Sequence, residues 1–491
     1  MKRILSLPRR PSLYWGALLV AVPLCLVAAA PARAQWSESP PVGSDWAGEQ
    51  PIGRHSGEVA REFDPFNPVP EVGRYDGCGD GRDGCGDERE HCRDGRDGCR
   101  EPEHHHEHGA APLHLSEHNA LVVDCSGEHR DMFSSVGAAV HVAPPNATIL
   151  ILPPGDGTTC VETVAIHKPL TISTLGGGSP AVIQAPDNQP CLIADIPLGD
   201  TLTIDRIRFI ARGHNAPCVS VQAGHVVVRN SSIDSRTRNW AFDVAESGDL
   251  SVEATHIETD GSGVHARRAR VELRDLAIDI DMGHDGVGLA LDRTDGIVDG
   301  GSIIGGAVGI LASAGTHGLQ LSDTKVHKAK TGVALVSGGL GSVSAERLAL
   351  SNNAEGLVIG PGAESQITHS VITDSKEDGV AIYGAATLIG ANKIVGAEVG
   401  IRLSPPSAFS PPPFVEFIAD PPGDGNDGKP IVENNLVANV RHAAVLVDGP
   451  AHGRVMGNVF YAPGHARCID GDGHIDEGDN ACHGSWLPWP F

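Results

Sequence analysis

The chain has 491 residues, a formal charge of −25 and only 4% aromatic residues, against 61 glycines. That acidity excludes nucleic acid as a partner and disfavours unaided binding of polyanionic glycans, because either would meet a surface of its own sign. Abundant glycine with few aromatics suits tight chain corners and argues against rows of stacked sugar subsites.

At the N-terminus Lys2, Arg3, Arg9 and Arg10 precede an apolar run over residues 17–30, followed by Ala32-Arg33-Ala34. This reads as a secretory signal peptide, residues 1–34, cleaved near Ala34 and directing the chain to the periplasm or the exterior. Its removal takes five basic and no acidic residues, so the charge moves from −25 to −30. No second apolar stretch of spanning length follows, so no transmembrane anchor is expected. Residues 35–115 are rich in Gly, Asp, Cys and His and lack apolar periodicity, which predicts disorder. Within them Cys78, Cys85, Cys92 and Cys99 recur every seven residues, with His91, His104, His105, His106 and His108 among or after them. Such a set can bind Zn²⁺, Cu or Ni²⁺, but the spacing is not that of a structural zinc site, and in an oxidising compartment the thiols can pair.

The solenoid is expected over residues 116–467. Asp131 is the expected N-cap of a short helix whose apolar face is Phe133, Val136 and Val140, ending near Pro144-Pro145. A strand follows from Ala147, and a longer extended run from Cys160. From Leu202 onward one pattern returns about every 21–25 residues: LTIDRIRFI, VVVRNSSID from Val226, LSVEATHIE from Leu250, VELRDLAID from Val271 and GIVDGGSII from Gly296. It continues from Leu319, Val343, Ser365 and Thr387 and, after an interruption, from Pro430 and Gly453. Between these segments lies a second strand opened by Gly-Val or Gly-Leu, as at Gly286, Gly332, Gly356 and Gly379. Short strands at such a period, with no helical spacing, predict an all-β solenoid of about ten to twelve coils.

The run AAVHVAPPNATILILPPG, the later VETVAIHKPLTISTLGGG, and the repeats with Asn230, Asn352, Asn434, Asn435 and Asn458 at turns carry a resemblance. They resemble right-handed parallel β-helix proteins of the pectin-lyase-like superfamily, a class that includes nitrous oxide reductase accessory proteins and alginate C5-epimerases. The resemblance spans roughly residues 120–465. It implies a right-handed parallel β-helix with a short N-terminal capping helix, and hardly specifies a reaction. The motifs of pectin methylesterases, polygalacturonases and pectate lyases are missing. The nearest string to the Asp-Pro-His of periplasmic alginate epimerases is Asp281-Met282-Gly283-His284-Asp285, which lacks the proline.

Residue chemistry suggests two sites for Ca²⁺. The repeat alignment stacks Asp234, Glu258 and Asp279 in one column, and Arg236, Asp260 and Asp281 in the next. Stacked carboxylates about 4.8 Å apart need a cation, an Arg or a proton between them. Asp260 and Asp281, with Asp285, form one candidate calcium set. His265, Arg267 and His284 nearby are the candidate catalytic residues for proton abstraction. The alternative is a solvated face of surface ion pairs. The second set lies in residues 468–491, a Cys-bracketed acidic tail: Asp470, Asp472, Asp476 and Asp479 match positions 3, 5, 9 and 12 of a calcium loop, although Cys468 occupies position 1. There the alternative is an acidic hairpin closed by Cys468–Cys482. The interruption between Ser404 and Pro430 holds eight prolines with Pro430 counted, and Phe409, Phe414 and Phe417 can dock it on the wall or overhang a groove. Outside the signal and the Cys/His tract six cysteines remain. Cys191 and Cys218 sit one coil apart, and Cys125 with Cys160 would tie the cap to the first coil. Two functions are compatible with these residues: a non-catalytic exported β-helix that binds or organises a polysaccharide or envelope partner, and a Ca²⁺-dependent lyase or C5-epimerase of an acidic glycan.

Overall fold

The computed structural model describes residues 114–115, 120–155, 159–213, 215–281, 285–313, 316, 318–336, 342–411 and 428–484. The expected signal peptide, the Cys/His tract and His284 lie outside them. Within them the chain is a right-handed parallel β-helix of three walls. The second wall is one 14-stranded parallel sheet. The first and third walls join into a 27-stranded sheet because two long strands, Val219–Arg229 and Trp240–Glu253, pass the corner between them unbroken. Among the described residues no helix is long and apolar enough to cross a membrane.

The aligned segments stack in one register. Leu202 pairs with Val226, Val226 with Leu250, Leu250 with Val271 and Val271 with Gly296. The register continues from Leu319 through Val343, Ser365 and Thr387, and on past the interruption, where Ile431 meets Arg454. Leu202, Ile204, Val226, Val228, Leu250 and Val252 all face inward at 0–1% exposure. Because strand side chains alternate, a slip of one residue would send this entire set outward.

Most coils turn from first to second wall through one residue at positive φ, which recurs at the same repeat position: Arg206, Asn230, Ala254, Asp275, Asp323, Arg347, His369 and Asn434 among them, while Gly300 and Gly301 share the role in one coil. The left-handed conformation bends the chain sharply and points the next side chain into the corner. In the early coils Ser231 and Thr255 fill that inner position; later it becomes Asn392, Asn435, Asn458 and finally Asn480. The backbone N–H of Asn392 donates to Asn435 Oδ1 (2.9 Å), that of Asn435 to Asn458 Oδ1 (2.9 Å), and that of Asn458 to Asn480 Oδ1 (3.1 Å). Each side-chain amide in turn donates to a wall carbonyl, as Asn435 Nδ2 does to Ile389 O (2.8 Å). The Gly-Val signature also has a steric cause: a Cβ at Gly356 would lie 2.4 Å from the carbonyl oxygen of Gly379 on the next coil.

Both ends differ from expectation in detail. The capping helix runs Val136–Val142, with Ser135 rather than Asp131 as N-cap; Ser135 Oγ accepts from Ala138 N–H, and Glu162 accepts from the N–H groups of Val136 and Gly137 (2.7 and 2.8 Å). A carboxylate one coil away thus holds the helix start, which no local spacing reveals. At the other end residues 468–483 continue the solenoid beyond the boundary expected at 467: Arg467–Gly471, His474–Gly478 and Ala481–His483 pair with the coil before. The apolar column ends there, since Glu477 pairs with Val455. Three disulfides join Cys125 to Cys160, Cys191 to Cys218 and Cys468 to Cys482, the pairings expected.

Replacing Asn435 by alanine should leave the buried N–H of Asn392 unpaired and cost about 2–3 kcal/mol of stability. Ser344→Ala, on the exposed side of the first wall, should cost almost nothing. Urea unfolding of both variants compares them directly.

Candidate functional site

The third wall carries the chemistry. Its strands, among them Thr331–Val336, Glu355–Ile359, Asp378–Tyr383, Val399–Ser404 and Ala443–Val447, present three outward columns. Ladder pairing stacks Thr331 on Glu355, and Asp378 on Val399, in the first column. Ala381 stacks on Arg402 in the second, and Tyr383 on Ser404 in the third. Along the first column Val287 and Val308 give way to Thr331, Glu355 and Asp378 before Val399 and Ala443.

Arg402 organises that end. Its Nε and Nη2 donate to the two oxygens of Asp378 (2.7 and 3.1 Å), and its Nη1 donates to Asp448 Oδ2 (3.0 Å), which also accepts from Ser404 Oγ (2.9 Å). The Asp378 side chain is 7% exposed, while Arg402 and Asp448 reach solvent at 28% and 40%. Burial disfavours the Arg402 cation, but its two carboxylate partners outweigh this and hold its pKa above the ordinary value. Burial pushes the Asp378 carboxyl upward against the pull of Arg402. Glu355, which accepts from Thr331 Oγ1 (3.1 Å), is raised first by burial and then by the charges of Glu377 and Asp378. Tyr383 is raised by burial and by Glu355 and Asp378, and its ring meets Phe409 edge-on at 5.3 Å. The result is a half-buried cluster of one cation, several carboxyls, hydroxyls and two aromatic rings.

The opposite end of the same wall holds two of the residues singled out from sequence. His265 and Arg267 belong to the strand Ser262–Arg267. His265 Nδ1 lies 2.8 Å from Asp243 Oδ1, and its ring stacks on Trp240 at 4.9 Å. Arg267 pairs in the ladder with Asp292, whose carboxyl is raised by burial.

The stacked-carboxylate column is present: Asp234 pairs with Glu258, and Glu258 with Asp279. Arg236 supplies the positive charge, with Asp234 and Asp260 at 3.0 and 3.2 Å and Glu258 also in contact. Asp281 continues the ladder through its N–H to Thr259 O, and Asp285 pairs with Lys330. In the tail Asp470 pairs with Arg467 and lies 3.6 Å from His442, Asp472 accepts from Gly449 N–H, Asp476 stands beside Arg454, and Asp479 is a corner residue at positive φ. These four are spread over strands and corners of one coil. Among the described residues, the one place where three ligand-type groups come within 4.8 Å of one another is Cys125, Cys160 and Glu162. There the sulfurs are joined and the carboxylate caps the helix.

No family model matches this sequence, and no curated protein matches it. Solved structures share the coil path. The chain is similar to the A-module of a mannuronan C-5 epimerase from Azotobacter vinelandii at 12% identity, covering 72% of this chain and 93% of that one with a TM-score of 0.41. It is also similar to a family 28 exopolygalacturonase of Yersinia enterocolitica, at 9% identity over 72% and 75% of the chains with a TM-score of 0.40. A tailspike protein of the E. coli bacteriophage HK620 aligns at 11% identity over 69% and 60%, with a TM-score of 0.34. The likeness carries no residue role, substrate or reaction over to this chain.

Removing Arg402 as Arg402→Met should strand the buried Asp378 carboxylate and cost about 3–5 kcal/mol at neutral pH, measured by urea unfolding. A second expectation concerns Glu355. Its pKa is raised on folding, so its contribution is complete below the ordinary carboxyl range and is lost as pH rises through the raised value. Glu355→Gln should therefore melt with the wild type near pH 4 and above it by a few degrees at pH 8; equal melting temperatures at both pH values would refute this.

Proposed function

We propose that this chain is an exported β-helix protein that binds a polysaccharide on the outer face of its third wall without catalysing a reaction. The observation that carries this reading is the cluster around Arg402, where charged, hydroxyl and aromatic groups share one partly exposed face. Three disulfides support an oxidising destination. The charge of the cluster favours a neutral or amino-bearing glycan over a uronate. Nε, Nη1 and Nη2 of Arg402 already donate to Asp378 and Asp448, and Glu355, Glu377 and Glu398 add negative charge nearby. An acidic polymer would need a bridging cation.

A second reading rests on His265. With Nδ1 held by Asp243, its Nε2 is the nitrogen left to accept a proton, the arrangement a general base requires. That reading is a lyase or C5-epimerase of an acidic glycan, with Ca²⁺ neutralising the carboxylate. It is weakened because Asp260 and Asp285 already face Arg236 and Lys330.

Titrating the purified protein with neutral, amino-bearing and acidic polysaccharides, with and without Ca²⁺, separates these readings. Binding of a neutral or amino-bearing glycan should weaken about tenfold or more in Tyr383→Ala, with little change in melting temperature. Equal binding by that variant, or no binding to any member, sinks the proposal. Calcium-dependent ultraviolet absorbance from unsaturated ends, or proton exchange at C5, would establish the second reading instead.

A further inference from the structure

The chain carries eight lysines, and five of them lie on or beside one face: Lys325, Lys328, Lys330, Lys376 and Lys393. That face is the outer side of the second wall in its C-terminal half. Ladder pairing places Lys325, Ala349, Val371, Lys393, Leu436 and Val459 in one outward column. At about 4.8 Å per coil the column is about 24 Å long. The neighbouring outward column runs through Ser351, Thr373, Val395 and Tyr461. Lys328 is the corner residue beside it, at positive φ, and Lys330 and Lys376 follow where the chain turns toward the third wall.

Most of these charges are unanswered. Lys330 pairs with Asp285, whereas Lys325, Lys328, Lys376 and Lys393 are exposed and form no ion pair among the described residues. In the N-terminal half of the same wall, Arg208 and Arg236 are both met by carboxylates. Between the lysines the wall is aliphatic: Val371 is 42% exposed, and Val395, Leu436 and Val459 are half-buried. Neither feature serves the fold, since these side chains face away from the lumen and the ammonium groups touch no carboxylate.

A hydrated polyanion would engage the lysines but gain nothing from the aliphatic side chains. A lipid surface engages both, because ammonium groups meet headgroup phosphates while aliphatic tips enter the interface. The formal charge of −25 does not prevent this approach. Salt screens charges more than about 8 Å away, so at contact the membrane meets the facing wall and little else.

We propose that the C-terminal half of the second wall is a peripheral docking face for an anionic phospholipid membrane. Lys325, Lys376 and Lys393 contact its headgroups, and Val371 and Leu436 enter the interface between them. This does not depend on the glycan reading, which concerns the third wall.

The test sediments the full-length mature protein with vesicles of phosphatidylglycerol and phosphatidylcholine, or of phosphatidylcholine alone. Binding should require phosphatidylglycerol and fall as salt rises. A Lys376→Glu/Lys393→Glu variant should bind about tenfold more weakly, and Val371→Ser several-fold more weakly, both melting with the wild type. The charge-matched Arg212→Glu/Arg238→Glu, at the other end of the wall, should bind as the wild type does. Should the double lysine variant fail to accumulate, Lys393→Gln is read the same way. No binding to phosphatidylglycerol vesicles, or unchanged binding by the lysine variants, overturns the proposal. So does an equal loss in the arginine variant. Unchanged binding by Val371→Ser, with displacement from vesicles by soluble polygalacturonate, overturns it in favour of an acidic polymer.

Discussion

Parallel pairing between successive coils is the constraint from which the rest of this molecule follows. No coil can bury its inward side chains alone; it does so against the coil before and the coil after, and the ladder fixes their offset. Once Leu202 is set above Val226, the corner residue, the inner polar residue beyond it and the first residue of the next wall are set as well. This is why residues more than twenty positions apart behave as neighbours. Glu162 can cap a helix that begins at Val136, and Asn458 can serve the backbone of Asn435. Like stacks on like, so a column of apolar residues reinforces itself, whereas a column of carboxylates needs an answer.

The walls show two such answers. On the second wall the carboxylates of Asp234, Glu258 and Asp260 converge on Arg236, an exposed network of modest energetic weight. On the third wall Arg402 meets Asp378 in a setting with little water, where the same chemistry becomes sensitive to the loss of either partner. Identical residue types thus serve solubility in one place and shape a partly buried polar cluster in the other. Burial decides which, and burial is a property of the wall and not of the local sequence.

That distinction also marks what was legible from the residues. The period, the inward set from Leu202 to Val252 and the pairing of the cysteines follow from alternation and spacing, and the coils stack accordingly. The carboxylate column at Asp234, Glu258 and Asp279 was legible for the same reason, together with the need for a positive partner. The Arg402 cluster was not. Reading the third-wall strands from their glycines onward leaves off Glu355 and Asp378, each the residue just before its glycine, and Arg402 sits in a strand that otherwise looks like core. Comparing the strands in register, with Thr331, Glu355 and Asp378 aligned, would have exposed the change from apolar to charged. In the tail, the spacing that imitates a calcium loop is the spacing of two strands and their corners, because aspartate also suits a left-handed bend, as at Asp479.

The disulfides carry a consequence for how such a rod comes apart. A linear array loses its terminal units first, since these have a neighbour on one side only. Here Cys125–Cys160 and Cys191–Cys218 staple the early coils, and Cys468–Cys482 spans the last. Fraying is therefore blocked at the N-terminal end, whereas Cys468–Cys482 closes the last coil on itself without tying it to the coil before. The long run of coils between Cys218 and Cys468 contains no cross-link, and from the C-terminal side it can open one interface at a time. Reduction would free the N-terminal end as well and convert a molecule that opens from one side into one that peels from both.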